Sequence, residues 1–178
     1  VARSERVGPS TPLHEVLPEM SGTFAGHATL ETLLSHRSGL AGHVPLFLPL
    51  VTGAPFNARD ALVEAANGAR AEVRGGAGSY PPVYSDLGYM LVGQAIARAH
   101  GAIDAGAVIE DLIAKPLALS VNGELALGTA RSLSRRYPEW PANVAPTEMA
   151  EWRGGVVRGA VHDENAWALT GYGGSGHA

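Results

Sequence analysis

The 178-residue chain contains no cysteine and a single lysine, Lys115. Without cysteine there are no disulfides and no thiolate metal sites. No apolar run reaches the roughly 20 residues that a membrane-spanning helix needs. The longest candidate, residues 44–51, is interrupted by Pro45 and Pro49. We therefore expect no membrane span. The chain has no basic run and a net charge of −4, so we also expect no nucleic-acid or anionic-membrane partner.

What is present is ordinary for a globular protein. Hydrophobic residues make up 46% of the chain and charged residues 17%, and the length suffices for one domain with its own core. No signal peptide is visible, and the sequence opens on Val1 rather than Met. The cellular compartment therefore stays open.

Several segments carry both a helical pattern and a capping residue. The capping residues are Thr29, Asn57, Ser85 and Asp163. The helix capped by Thr29 is predicted to end before Gly39, and the one capped by Asn57 to run to residue 66, before Gly68. The helix capped by Ser85 is predicted to end at Gly101, and the one capped by Asp163 to cover residues 164–169. A further helix is predicted over residues 105–114. In the helix that begins at Ser85, Leu87, Leu91 and Ala95 form one apolar stripe.

The remaining segments are rich in proline and glycine. Residues 1–28 are predicted to be an irregular lead-in, and residues 40–56, 75–82 and 137–160 to be loops. Pro116 is expected to keep Lys115 out of the helical region. Strand signals are scarce, which indicates a fold composed mostly of helix and loop.

A tyrosine stands directly before one of the predicted helices. Tyr84 precedes the cap Ser85 and the acidic first-turn residue Asp86. At the positive end of a helix the dipole favours a phenolate, the form that a general base needs. The alternative is a tyrosine that only packs at the helix entry, and the chemistry alone favours that alternative.

The same stretch resembles the second motif of class C β-lactamases and of related penicillin-binding proteins and esterases. That motif is Tyr-x-Asn at the start of a helix, followed by an apolar run that ends in Gly; Tyr84 and residues 88–93 match it. The resemblance implies that Tyr84 activates the nucleophile and shuttles its proton, and that Ser85 and Asp86 contribute to substrate binding. Asp86 stands where the family has Asn, and an ionised Asp accepts hydrogen bonds but donates none. Turnover of β-lactams is therefore a weaker expectation than a general hydrolase activity.

Two other stretches support the same resemblance. Residues 29–40 are similar to the family's helix that ends in Leu-Leu-x-His-x-Ser-Gly-Leu, where His36 is expected to have a structural role. Residues 145–166 resemble a segment of one bacterial branch of the family, in which Gly-His-Ala-Gly follows. Gly176 and His177 match the start of that last motif. The resemblance implies that His177 is catalytic, on the oxyanion side of the pocket, and that Gly176 contributes to substrate binding.

The family's nucleophile motif, Ser-x-x-Lys, is missing from this chain. The residue three positions before Lys115 is Leu112. The first motif is therefore expected to lie before Val1, and the third to be cut at Ala178. Residues 1–178 are interpreted as a single β-lactamase-like domain that is truncated at both ends.

The resemblance implies an α+β fold, of which this chain is the mostly helical middle segment with few strands. The implied activity is that of a serine hydrolase acting on a small-molecule amide or ester, such as a β-lactam, a D-amino-acid peptide or an ester. The alternative is an inactive homologue that binds cell-wall peptides or a protein partner. An unrelated helical interaction domain is a remote third reading. A bacterial cytoplasmic location and an exported one are both compatible with the resemblance.

No cofactor and no metal are expected. His162, Asp163 and Glu164 are consecutive and so point in different directions, and no His-Glu-x-x-His spacing occurs. The glycine-rich runs lack the Gly-Lys-Ser/Thr ending of a phosphate loop.

Overall fold

A computed structural model describes residues 7–119 and 137–170, together with Ala130 and Leu133 between them. The fold is mostly helical with one two-stranded sheet, which confirms the predicted α+β class with few strands. The helices are α1 (Leu13–Val16), α2 (Leu30–Leu34), α3 (Leu48–Thr52), α4 (Ala58–Asn67), α5 (Asp86–Ala99), α6 (Ala105–Ile109), α7 (Trp140–Asn143) and α8 (Glu164–Thr170). The strands are β1 (Glu148–Ala150) and β2 (Gly155–Val157).

Helix α5 is the centre of the core. Helices α1, α2, α4 and α6 all pack against it. The predicted stripe of Leu87, Leu91 and Ala95 is fully buried. Met90 and Gly93, on other faces of α5, are buried as well because neighbours enclose the helix on several sides. This position fixes the first turn of α5, where Tyr84, Ser85 and Asp86 lie.

The predicted helix caps are confirmed. Each capping side chain accepts a hydrogen bond from a backbone N–H in the first turn of its helix, which satisfies one of the donors that a helix start leaves unpaired. The pairs are Thr29 with Thr32, Asn57 with Arg59 and Asp60, Ser85 with Gly88, and Asp163 with Ala166.

The prediction of an irregular lead-in was wrong for its described part. Helix α1 and two 3₁₀ turns, Pro18–Met20 and Phe24–His27, lie within residues 7–28. Leu13, Leu17 and Met20 are among the most buried side chains. These elements have three or four residues each, too few for a helical period to show in the sequence.

Two predicted loops also contain regular structure. Residues 40–56 include α3, which has Pro49 at its start, where the missing N–H of proline costs no helical hydrogen bond. Residues 137–160 include α7 and an antiparallel hairpin in which Glu148 pairs with Val157 and Ala150 with Gly155. Strands of three residues are too short to show an alternating pattern.

The expectation for Lys115 was also wrong. Lys115 has right-handed helical angles, φ −65° and ψ −52°, and ends a π-helical turn, Glu110–Ala114, that continues α6. Its N–H donates to the carbonyl of Glu110, five residues earlier. We attribute the helical conformation before Pro116 to this wider turn, which relieves the clash between a proline ring and the preceding turn.

The hairpin is anchored by a buried arginine. Arg153, whose side chain is 2% exposed, donates to the carbonyls of Val161 (2.7 Å) and His162 (3.1 Å). Its guanidinium carbon lies 4.7 Å from the ring centre of Trp167 in α8. Trp152 stacks on Phe47, so the hairpin is held against both α8 and the segment before α3.

The charge of Arg153 is balanced by acidic neighbours. Burial lowers the pKa of Arg153, while the carboxylates of Glu148, Glu164 and Asp163 act in the opposite direction. An arginine begins from so high a pKa that it stays charged in such a setting. The hairpin therefore carries a permanent positive charge in its anchor.

Candidate functional site

The segment that enters α5 presents an exposed tyrosine beside two buried residues. Tyr84 is 65% exposed, whereas Ser85 and Asp86 are 2% and 5% exposed. The Ser85 cap starts the helix immediately after Tyr84. Tyr84 thus directly precedes the N-terminal end of a 14-residue helix.

His36 contacts the segment that enters α5. It has the left-handed backbone angle φ +58°, and its Nδ1 accepts a hydrogen bond from the N–H of Ser85 at 3.2 Å. Its ring centre lies 5.0 Å from that of Tyr84 and 5.0 Å from that of Tyr89. Both contacts agree with the structural role expected for His36.

The hydroxyl of Ser85 is engaged on both sides. It donates to the carbonyl of Ala41 at 2.6 Å and accepts from the N–H of Gly88 at 3.4 Å. These bonds fix the loop after α2 against the start of α5. A contribution of Ser85 to substrate binding stays a prediction.

Asp86 points into the protein. Its Oδ2 accepts from Nδ1 of His43 at 2.6 Å, and Nδ2 of Asn165 lies 3.5 Å away. Asn165 is fully buried, and its amide donates to the carbonyl of Val44 at 2.8 Å. Within the described part of the chain, Oδ1 of Asp86 has no hydrogen-bond partner. The closest donor to this carboxylate is His43, through Oδ2.

Sequence reasoning missed His43 and Asn165. His43 is the only titratable residue in the apolar segment 40–56, and this feature of the sequence could have pointed to it. Asn165 had no comparable signal, because it becomes buried only when α8 packs onto a segment some 120 residues earlier.

Of the predicted site residues, Tyr84, Ser85 and Asp86 lie together at the start of α5. Gly176 and His177 lie outside the described residues, so their placement relative to Tyr84 stays a prediction. Across residues 7–119 and 137–170, no group of three His, Asp or Glu side chains is arranged to hold a metal ion. In the same ranges no helix has the length and apolarity needed to cross a bilayer.

A separate cleft of about 430 Å³ lies along the second half of α5. Gln94, Arg98 and Arg59 line it, and Arg98 forms an ion pair with Glu19 at 2.8 Å. Neither Tyr84 nor Asp86 borders this cleft. Tyr84 therefore lies on a different part of the surface.

Comparison with known proteins identifies the family of the chain. The model of the Beta-lactamase family matches residues 1–176, and the chain belongs to this family. No curated protein and no solved structure shows significant similarity to the chain.

Proposed function

We propose that this protein hydrolyses a small-molecule amide or ester by acyl transfer through a seryl intermediate. Membership of the Beta-lactamase family supports a hydrolase of this type. In this proposal Tyr84 is the general base that activates the serine. His177 lies on the oxyanion side of the pocket, and Ser85, Asp86 and Gly176 contribute to substrate binding.

The exposed phenol of Tyr84 at the start of α5 is the observation that carries the proposal. A general base must reach the proton that it removes, so it must be accessible to the nucleophile and substrate. Tyr84 is 65% exposed while the next two residues are buried.

Asp86 narrows the expected substrate. Its carboxylate faces His43 and Asn165 in the interior. An ionised carboxylate donates no hydrogen bond, so it cannot replace an asparagine amide as a donor to a substrate carbonyl. We therefore propose general amide or ester hydrolysis rather than dedicated β-lactam turnover.

A test compares two tyrosines that flank the same histidine. In the full-length gene product, Tyr84→Phe is expected to slow acylation by a p-nitrophenyl ester by about 10²–10⁴-fold, the usual contribution of a general base. Tyr89→Phe is the matched control, because its ring also stacks on His36 but its hydroxyl lies near the Leu34 carbonyl. An acylation rate unchanged by Tyr84→Phe would refute the role of Tyr84.

A second candidate function is a binding protein without hydrolase activity. It is favoured by the lack of Ser-x-x-Lys within these 178 residues. In the first proposal this pair is supplied by residues outside this sequence, so the gene sequence on either side separates the two functions. Saturable binding of a muropeptide, with no turnover of it or of esters, would favour the binding protein.

A further inference from the structure

The loop after α2 and the entry to α5 run side by side. The N–H of Asp86 donates to the carbonyl of Gly42 at 3.1 Å, and the Ser85 hydroxyl donates to Ala41. A Cβ atom on Gly42 would lie 3.2 Å from the carbonyl oxygen of Tyr84. His43 is therefore the next residue after Gly42, whose close approach to the Tyr84 carbonyl also positions Tyr84.

The ring of His43 is oriented by the carboxylate of Asp86. Its Nδ1 lies 2.6 Å from Oδ2 of Asp86, which is hydrogen-bonding distance. An ionised carboxylate can only accept, so in this pairing Nδ1 is the donor. A neutral ring that donates from Nδ1 has its lone pair on Nε2.

The exposure of His43 is consistent with a role outside the core. The Asp86 side chain is 6% exposed and that of His43 is 47% exposed. Nδ1 faces the buried carboxylate, and the opposite edge of the ring carries Nε2. The buried amide of Asn165 closes the inner side of this pair.

Other described histidines differ from His43. His14 and His100 place Nδ1 against backbone carbonyls, those of Gly26 and Ile96, both at 2.9 Å. His162 lies 3.6 Å from a carboxylate oxygen of Glu148, which is beyond hydrogen-bonding distance, and it is 62% exposed. His43 differs from these three histidines because its half-exposed ring forms a short contact with a buried carboxylate.

We propose that His43 is a second proton-transfer residue of this site, with Asp86 and Asn165 as the positioning residues that orient it. The inference rests on the acyl-transfer function proposed above and assigns His43 to its second half-reaction. It also gives a chemical role to the carboxylate that stands in place of the family's asparagine.

A water oxygen bonds to the carbonyl carbon of the acyl-serine ester, and the water proton passes to Nε2 of His43. The bond between that carbon and the serine oxygen then breaks, and the proton passes from Nε2 to the departing oxygen. A carboxylic acid is released, the serine hydroxyl is restored, and nothing is oxidised or reduced.

The experiment uses chemical rescue in the full-length gene product with p-nitrophenyl acetate as the probe. His43→Ala is expected to keep the burst of the acylation phase and to lower the steady-state rate by about 10²–10⁴-fold. Because the ring is half exposed, imidazole can enter the space that it leaves and restore part of that rate. His14→Ala is the matched control, with neither the loss nor the rescue.

The outcomes separate the two proposals. A steady-state rate unchanged in His43→Ala, or lowered without rescue by imidazole, overturns the role of His43 and leaves the acyl-transfer function intact. A wild-type protein with neither burst nor turnover overturns both. A normal burst that disappears in Tyr84→Phe supports the acyl-transfer function independently of His43.

A second measurement, by NMR, depends neither on enzymatic activity nor on whether the alanine variant folds. Long-range ¹H–¹⁵N spectra of the wild-type protein are expected to show the neutral His43 ring with its proton on Nδ1. Asp86→Asn is expected to weaken that preference, because an amide accepts a hydrogen bond less strongly than a carboxylate. A proton found on Nε2 in the wild type overturns the inference whatever the activity.

Discussion

At the scale of single residues, Asp86 joins two tasks that usually fall to different side chains. It is the first residue of α5, where negative charge stabilises the helix, and it is also the acceptor for His43 and Asn165. Burial makes this carboxylate dependent on its donors, because a buried charge without partners is costly.

The donors depend on Asp86 in turn. Asp86→Ala is expected to lower the free energy of unfolding by about 1–3 kcal/mol, since it removes the acceptor of His43 and Asn165. Asp86→Asn is expected to lose less, because the amide oxygen still accepts from His43. Urea denaturation of both variants measures the difference, and equal losses would contradict the hydrogen bond as the cause.

The sequence indicated Tyr84, Ser85 and Asp86 because they precede an apolar helix in a pattern that resembles the family's second motif. It could not indicate the pairing of Asp86 with His43, which are 43 positions apart. Proximity of this kind is set by how helices pack and leaves no local pattern in the chain.

At the scale of secondary-structure elements, helices that begin at a capping residue were predicted well, whereas the short elements without a side-chain cap, such as α1 and α3, were not. Asn57 and Ser85 each lie before a helix of ten or more residues, long enough for its apolar face to be recognised. The short turns of residues 7–28 exist because their side chains pack on the core, and tertiary packing is invisible to a local pattern.

The second 3₁₀ turn, Phe24–His27, contains a close backbone approach that provides a test. A Cβ on Gly26 would lie 2.1 Å from the carbonyl oxygen of Met20, whereas one on Gly22 would meet nothing within 4 Å. Gly26→Ala is expected to cost about 1–3 kcal/mol or more, the usual range for overpacking. Gly22→Ala is expected to be neutral or slightly stabilising. Thermal unfolding of both variants checks this, and similar melting temperatures would show that the first segment does not pack as described.

At the scale of the whole molecule, distant segments are tied together by polar contacts as well as by the core. The hairpin contacts α8 and Phe47 through Trp152 and Arg153. Asn165 links α8 to the loop after α2. The last described third of the chain is therefore attached to the first third through aromatic stacking and buried hydrogen bonds.

Arg153 tests that attachment. Arg153→Met is expected to reduce the free energy of unfolding by about 2–3 kcal/mol, because it leaves the carbonyls of Val161 and His162 without this donor. Arg158→Met is the control: Arg158 also donates to two carbonyls, those of Ala142 and Val144, but it is exposed. We expect a loss below about 1 kcal/mol there, and equal effects of the two variants in chemical denaturation would contradict the anchoring role of Arg153.

The contacts of Asn165 have a consequence for the order of folding events. Its bond to Val44 closes a loop of 121 positions, and that between His43 and Asp86 closes one of 43. The entropy of closing such loops is lost before the contacts form, so they come late, after the locally capped helices. Substitutions at these residues should accordingly accelerate unfolding and leave the refolding rate nearly unchanged. The hydrogen-bonded group of His43, Asp86 and Asn165 is thus assembled in the last steps of folding.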